Sequence, residues 1–389
     1  MSSSPAEALL KQLPFSPSLF NYRRRPTRTV MVGNVGVGGN NPLRLQSMTT
    51  TRAGELEATV AQIERLVQAG CEIVRLTVPN EEEARQLQKL REGLDSRRLA
   101  VPLVADIHFR PEAALAAAEY VEKVRINPGN YADVKLFKTR EYTPAQYEEE
   151  LARVEEKFSP LVLKLKRLKR ALRIGTNHGS LSDRILNRYG DTPEGMVESA
   201  LEFVRVCRKL DFHDVILSMK SSNPKVTIAA YRLLAARMTQ EGMDYPFHLG
   251  VTEAGFGTDG RIRSAIGIGG LLEDGIGDTL RVSLTEEPEL EIPVGRRIAS
   301  RYERRTAVPP SVPSPDETLS PVDDFYHYRR RPAREVPVGP FRIGGTQTIR
   351  VALGLPKKNS DPRRRMDSLE KSLRGSPDQP PEMLEWRIS

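Results

Sequence analysis

Cysteine is almost missing from this sequence: Cys71 and Cys207 are the only two in 389 residues. Two such thiols make neither a disulfide framework nor a metal cage, and each reads as a buried small hydrophobe. Long apolar runs are missing too, since none approaches the roughly 20 residues that cross a bilayer. The opening Met1–Phe20 has no apolar signal core behind a basic cluster. These absences exclude a membrane partner and lead us to expect a cytoplasmic protein. An excess of positive charge is present overall, at +8, but not where a nucleic-acid binder needs it. Residues 1–30 hold five bases and one acid, residues 286–389 hold 19 and 16, and the interval between holds 35 bases against 34 acids. Without a basic face on its main body, the chain is not expected to bind nucleic acid.

What is present is alternation. Short β-branched and leucine-rich runs alternate with helical patterns, the signature of parallel βαβ units. Eight such runs occur: 43–48, 72–78, 101–107, 121–126, 171–175, 215–219, 247–252 and 278–284. Eight parallel strands close a TIM-type (β/α)8 barrel, an α/β fold of roughly 250 residues, so the chain has room for the barrel and an appendage. Helix starts are marked by proline behind a capping residue: Thr143-Pro144 opens one helix, Ser159-Pro160 is expected to open a second, and Pro111, Pro193 and Pro224 start others. Gly70 sits where a helix is expected to end. The glycine-rich stretch 33–39 precedes the first barrel strand and so predicts a hairpin over the barrel bottom, not a phosphate loop. Gly267–Gly270 falls in the helical connection before strand eight and reads as a packing or turn feature.

Beyond about residue 305 the composition shifts, with thirteen of the 29 prolines after Thr306. An internal repeat follows. Tyr22-Arg23-Arg24-Arg25-Pro26 returns as Tyr328-Arg329-Arg330-Arg331-Pro332, and twelve of 24 positions match at a fixed offset of 306. Random pairing would match about one or two. The expected organisation is an N-terminal extension (1–21), a substrate-binding barrel with its hairpin (22–305), a proline-rich linker (306–327), the start of a second barrel-like repeat (328–351), and a disordered or aberrant tail (352–389).

In such a barrel the chemistry lies at the C-terminal ends of the strands. There the sequence delivers Gln46-Ser47-Met48-Thr49, Arg75, Asp106 and His108, Arg125 and Asn127, Arg173 and Asn177, Lys220, Glu253, and Arg281 with Ser283. Five cations converging from different strands repel one another unless an anion or acids compensate them, and a diphosphate is a natural compensator. Arginine offers its oxygens a planar fork and lysine a point charge. Asp106, His108, Asn177 and Glu253 suit hydroxyl groups and proton transfer. His178 is expected near the mouth, whereas His213, His248 and His327 show no cluster partner. Two other readings use the same residues: a Schiff-base aldolase with Lys220 as nucleophile, and a non-catalytic anion-binding fragment.

The motifs taken in order are Gln46-Ser47-Met48-Thr49-Thr50, Glu72-Ile73-Val74-Arg75-Leu76-Thr77, Asp106-Ile107-His108-Phe109, Arg125-Ile126-Asn127-Pro128-Gly129, Arg173-Ile174-Gly175-Thr176-Asn177-His178-Gly179-Ser180, Ser218-Met219-Lys220, Thr252-Glu253-Ala254-Gly255 and Gly275–Leu284. With these the chain resembles the 4-hydroxy-3-methylbut-2-en-1-yl diphosphate synthase family over about residues 22–350. The resemblance implies the reductive ring opening of 2-C-methyl-D-erythritol 2,4-cyclodiphosphate in non-mevalonate isoprenoid biosynthesis. It implies that Arg75, Arg125, Arg173, Lys220, Arg281 and Ser283 hold the diphosphate, joined on the residue reading by Asn127. Asp106, His108, Asn177 and Glu253 would contact the carbon chain, with Glu253 moving a proton. It further implies a ferredoxin- or flavodoxin-type electron donor and a [4Fe-4S] cluster on three cysteines and a glutamate of a last domain, whose ligands this chain lacks. By the same resemblance, the repeat at Tyr328 would be the start of the domain inserted in the family's long form. A homodimer or a cluster-bearing partner is the expected assembly.

Overall fold

Each β-rich run becomes a strand because its branched residues alternate between the barrel interior and the helices outside. The computed structural model describes residues 15–17, 22–132, 142–303, 305, 333–350, 352–354, 367, 370 and 383–385. It divides into two units, Met1–His327 and Tyr328–Ser389.

The first unit opens with an antiparallel hairpin, β1 (Val30–Val32) and β2 (Val35–Val37). The chain then alternates β3 (Arg44–Met48), α1 (Leu56–Gln68), β4 (Ile73–Thr77), α2 (Glu81–Ser96), β5 (Leu103–Ile107), α3 (Pro111–Ala117) and β6 (Lys123–Ile126). After a short turn α4 (Pro128–Tyr131) come α5 (Pro144–Leu168), β7 (Ala171–Asn177), α6 (Asp183–Tyr189), α7 (Pro193–Lys209) and β8 (Val215–Lys220). The unit continues through α8 (Pro224–Gln240), β9 (His248–Leu249), α9 (Gly257–Glu273), β10 (Thr279–Leu280) and α10 (Glu291–Glu303). Eight strands form one parallel sheet in the order β8-β7-β6-β5-β4-β3-β10-β9, and a parallel bridge from Leu217 to Phe247 closes the ring. This is the (β/α)8 barrel expected from the sequence. Among the described residues no helix is long and apolar enough to cross a membrane.

The hairpin plugs the lower end. Val30, Val32 and Val37 pack on the lowest inward residues, Ile73, Val104, Ala171 and Ile216, all essentially without exposure. Gly33 holds φ +61 at the hairpin tip, a left-handed conformation that glycine adopts without steric cost. The helix signals at Thr143, Pro111, Pro193 and Pro224 all mark true helix starts, and Thr143 forms a reciprocal capping box with Gln146. Gly70, at φ +97, follows the end of α1 as expected. Gly267 is a packing glycine of α9, since a Cβ there would come within 2.4 Å of Val251 Cγ2.

Two expectations need correction. Ser159-Pro160 does not open a second helix; Pro160 lies inside the 25-residue α5. The apolar stripe Val154, Phe158, Leu161, Val162 and Leu165 is buried continuously across the proline and holds the helix in line, while Ser159 turns its hydroxyl back to Glu155 O at 2.7 Å. Strands seven and eight are two residues each, far shorter than the runs 247–252 and 278–284. Beyond them, separate backbone bonds replace the regular ladder: Thr252 N donates to Ser221 O, Ala254 N to Ser283 O and Thr285 N to Gly255 O, each at 3.1 Å.

In the second unit, β11 (Val336–Val338) and β12 (Phe341–Ile343) form a hairpin. Both strands lie at an offset of 306 from β1 and β2, and Gly339, Gly344 and Gly345 repeat the positive φ of Gly33, Gly38 and Gly39. Val336 and Val338 are 51% and 45% exposed, whereas Val30 and Val32 are fully buried. Within 352–389, β13 (Ala352–Gly354) and β14 (Met383–Glu385) pair in parallel. The linker 306–327, His327 among it, lies outside the described residues.

Candidate active site

The upper end of the barrel is built by inward residues that alternate along the strands. Gln46 and Met48 come from β3, Arg75 from β4, Asp106 from β5, Lys123 and Arg125 from β6, Arg173 from β7 and Lys220 from β8. His248 and Thr279 come from β9 and β10, and Arg281 follows β10. Arg75, Arg125, Arg173 and Lys220 are all at most 8% exposed. The structure therefore brings together the five cations singled out in the sequence, four of them buried and Arg281 partly so.

Carboxylates divide these cations into two classes. Asp106, 1% exposed, accepts from Arg125 Nη1 at 2.7 Å and lies 3.4 Å from Arg75 Nε and 3.7 Å from His108 Nε2. Burial pushes its pKa up, but Arg125, Arg75, His108 and Arg173 together outweigh burial and hold it well below the usual carboxylate range. Asp106 is thus a fixed anion between two guanidiniums. Arg125 also donates to Gly175 O at 2.8 Å. A second carboxylate, Glu291 at the start of α10, accepts from Arg281 Nε and Nη2 at 3.2 and 3.3 Å. Met48 Sδ lies between the two outer arginines, 2.8 Å from Arg75 Nη2 and 3.4 Å from Arg281 Nη1.

Among the described residues, Arg173 and Lys220 form no ion pair. Arg173 Nε and Nη1 are buried without a hydrogen-bond partner among the described residues. Burial first, then Arg75 and Arg125, lower the Arg173 pKa well below its ordinary value. Lys220 is lowered in the same way by burial and by Arg173, Arg75, Arg281 and Arg125. Arg75 is brought down to about 10, with burial the leading cause. Two glycines make room for these side chains. A Cβ on Gly250 would sit 2.9 Å from Lys220 Nζ, and one on Gly175 would sit 2.6 Å from Arg125 Nε.

The polar residues expected at the rim are spread around it. Asn127 is buried, and its Oδ1 has no hydrogen-bond partner among the described residues. Asn177 is half-buried at the end of β7, in register with Lys220. His108 is half-buried, and its pKa is lowered by burial, against Asp106 and with Arg125, Arg75 and Arg173. Ser283 is half-buried and its carbonyl accepts from Ala254 N at 3.1 Å, which ties it to the residue after Glu253. Glu253 is exposed and holds φ +50. A left-handed non-glycine residue costs roughly 1–3 kcal/mol and tends to cluster at functional sites. His178 turns away to Asp191 Oδ1 at 3.3 Å. His213 is occupied by Tyr245 Oη at 2.9 Å.

Three interior residues escaped the sequence reading of the mouth. Lys123, fully buried, donates to Gln46 Oε1 at 3.3 Å. Glu291 reaches the mouth from a helix, where a search of strand ends does not look. His248, expected to stand alone, is fully buried inside the barrel, 3.5 Å from Thr279 Oγ1, with Lys220, Arg173, Lys123 and Arg75 acting on it. Lys123 had a detectable signal, because it precedes Arg125 by two and so shares its face.

The two thiols do not fit a four-iron cluster. Cys71 is 4% exposed at the entrance of β4, with Sγ 3.1 Å from Ile73 O, and burial lifts its pKa to about 12. Cys207 is fully buried in α7, where burial raises its pKa further. Such protonated, separated thiols are not metal ligands.

A family model described as the GcpE TIM-barrel domain matches residues 27–296. The chain is 54% identical over 347 residues to the 4-hydroxy-3-methylbut-2-en-1-yl diphosphate synthase (flavodoxin) of Leptospira interrogans, a match that covers 89% of this chain and 52% of that protein. The enzyme of the same name from Protochlamydia amoebophila is 58% identical over 302 residues, with 77% of this chain and 46% of that one covered. The chloroplastic 4-hydroxy-3-methylbut-2-en-1-yl diphosphate synthase (ferredoxin) of Oryza sativa is 54% identical over 300 residues, 77% of this chain and 40% of that one. The chain spans about half the length of the curated relatives it matches. The family match takes in all eight barrel strands and every cation of the ring, and the chain belongs to the GcpE family.

Proposed function

We propose that the barrel binds 2-C-methyl-D-erythritol 2,4-cyclodiphosphate and is the substrate-binding half of an enzyme that opens it reductively to 4-hydroxy-3-methylbut-2-en-1-yl diphosphate. The observation that carries this reading is that Arg173 and Lys220, at the strand ends of the mouth, are buried cations with no carboxylate partner among the described residues. A diphosphate supplies the negative charge and the acceptor oxygens they lack. The names of relatives above 50% identity support the choice of substrate and product.

Arg75, Arg125, Arg173, Lys220 and Arg281 would hold the diphosphate, with Ser283 and Asn127 donating where cations do not reach. Asp106, expected from the sequence to take part in proton transfer, would instead organise the cup, because a carboxylate held ionised by two guanidiniums cannot donate a proton in the neutral range. His108 and Asn177 would face the hydroxylated carbons. Glu253, exposed on its strained turn, would carry the proton that leaves with a hydroxyl as water. The electrons would come from a flavodoxin- or ferredoxin-type donor, in keeping with the relatives' names. An iron-sulfur cluster would be held outside this barrel, since Cys71 and Cys207 do not fit one. The expected organisation of the chain remains a barrel (22–305), a linker (306–327) and the start of a second repeat (328–351).

Calorimetric titration with the cyclodiphosphate tests the reading. Arg173→Ala is expected to weaken binding by a hundredfold or more, because charge-assisted hydrogen bonds contribute about 1.5–3 kcal/mol each. Equal affinity for the variant and the natural chain would overturn it.

A further inference from the structure

Backbone pairing between β10 and β3 covers only Thr279 with Arg44 and Leu280 with Leu45. Arg281 and Ser47 lie just past the end of that ladder. Across the seam sits Glu291, 2% exposed, on the first residue of α10. Its carboxylate accepts four hydrogen bonds: from Arg281 Nε at 3.2 Å, Arg281 Nη2 at 3.3 Å, Ser47 Oγ at 2.8 Å and Leu284 N at 3.1 Å. A carboxylate offers about four acceptor sites, so Glu291 has nothing left for a ligand. Arg281 does. Its five N–H groups give two to Glu291 and direct one at Met48 Sδ, leaving one on each terminal nitrogen.

We propose that Glu291 is the positioning residue of the anion cup, locking the Arg281 guanidinium so that its remaining N–H groups face a bound diphosphate. The inference rests on the diphosphate reading and goes beyond it to a residue that touches no substrate. Two mechanisms give opposite signs here. If Glu291 mattered only through its charge, removing it would raise the charge of the cup by one and tighten anion binding. If it positions Arg281, removing it weakens binding although the cup becomes more positive.

The test titrates inorganic pyrophosphate into the full chain and into Glu291→Gln, Arg281→Met and the double variant, with circular dichroism as the fold control. Glu291→Gln is expected to weaken pyrophosphate at least tenfold, and the double variant to be within twofold of Arg281→Met alone, as two residues acting through one contact require. Affinity in Glu291→Gln equal to or tighter than that of the natural chain overturns the proposal, as do losses that simply multiply. Should Glu291→Gln fail to fold, Arg281→Lys decides. It keeps the charge but loses the fork, and is expected to weaken binding about as much as Arg281→Met; near-natural affinity overturns positioning. If the natural chain does not bind pyrophosphate, the diphosphate reading falls by itself. Positioning is then judged from the Arg281 Nε–H resonance, expected to exchange slowly with solvent in the natural chain and fast in Glu291→Gln. Equal exchange in the two would overturn it.

Discussion

At the lower end of the barrel, Val30, Val32 and Val37 press on Ile73, Val104, Ala171 and Ile216, and at the upper end burial is given instead to Arg75, Arg125, Arg173 and Lys220. One end gains from burial and the other is opposed by it. Apolar contact removed from water stabilises by roughly 25 cal/mol per Å², whereas an ion removed from water is destabilised by several kcal/mol until it is paired. The eight strands are common to both ends, so the contrast comes from which residue types face inward at each height. The lower end holds the ring closed, and the upper end is left short of anions.

The sharpest break is expected at the lower end. Val32→Asp sets a carboxylate without a partner among valines and is predicted to cost about 3–5 kcal/mol or to prevent folding. Val338 occupies the equivalent hairpin position in the second unit and is 45% exposed, so Val338→Asp is predicted to change stability by less than ~0.5 kcal/mol. Urea denaturation of both variants measures the difference. Equal losses would mean that the second hairpin is buried as deeply as the first.

The upper end is predicted to respond in the opposite direction. Arg173→Met replaces a buried guanidinium that lacks partners on Nε and Nη1 with an apolar chain of similar length. The unliganded protein is predicted to gain about 1–4 kcal/mol, the range over which apolar replacements of buried charges stabilise. With saturating pyrophosphate present the ranking reverses, because the variant no longer gains from the ligand. A variant less stable than the natural chain without ligand would show that Arg173 holds the barrel together, and the contrast between the two ends would be lost.

How legible this was in the sequence depended on where each signal lies. All eight strands were visible because parallel strands buried on both faces read as continuous apolar runs. The hairpin plug was visible from glycine placed ahead of the first strand. The five cations were visible because the fold fixes which strand positions face the mouth. Glu291 was not, since it arrives from a helix start, ten residues past Arg281, and only the folded chain brings the two together. His248 was hidden by the same rule, because it begins its strand when the search was for strand ends. Pro160 misled because a proline after a serine marks a helix start only if the helix is not already held by its buried face.

His248 offers the smallest effect and the finest test of the contrast, because it lies inside the barrel beneath the mouth. It is fully buried on β9, its Nδ1 is 3.5 Å from Thr279 Oγ1, and its Nε2 has no hydrogen-bond partner among the described residues. Burial first, then Lys220 of β8, Arg173 of β7, Lys123 of β6 and Arg75 of β4, push its pKa well below 6.5. The folded ring is therefore neutral where the unfolded one takes up a proton, and below pH 6.5 the unfolded chain binds more protons than the folded chain. Stability must then fall as pH drops from 6.5 toward the folded pKa. Glutamine in its place keeps an amide of similar size and does not titrate. Between pH 6.5 and 5 the natural chain is predicted to lose stability faster than His248→Gln, by up to about 1.4 kcal/mol per pH unit. Carboxylate titration is common to both proteins, so the difference between their urea midpoints isolates the histidine. Saturating pyrophosphate, by offsetting the cations above the ring, is predicted to bring the two slopes together. Parallel slopes without ligand would mean that His248 is already charged in the fold, and that the surplus of positive charge at the mouth is compensated more deeply than Asp106 and Glu291 alone provide.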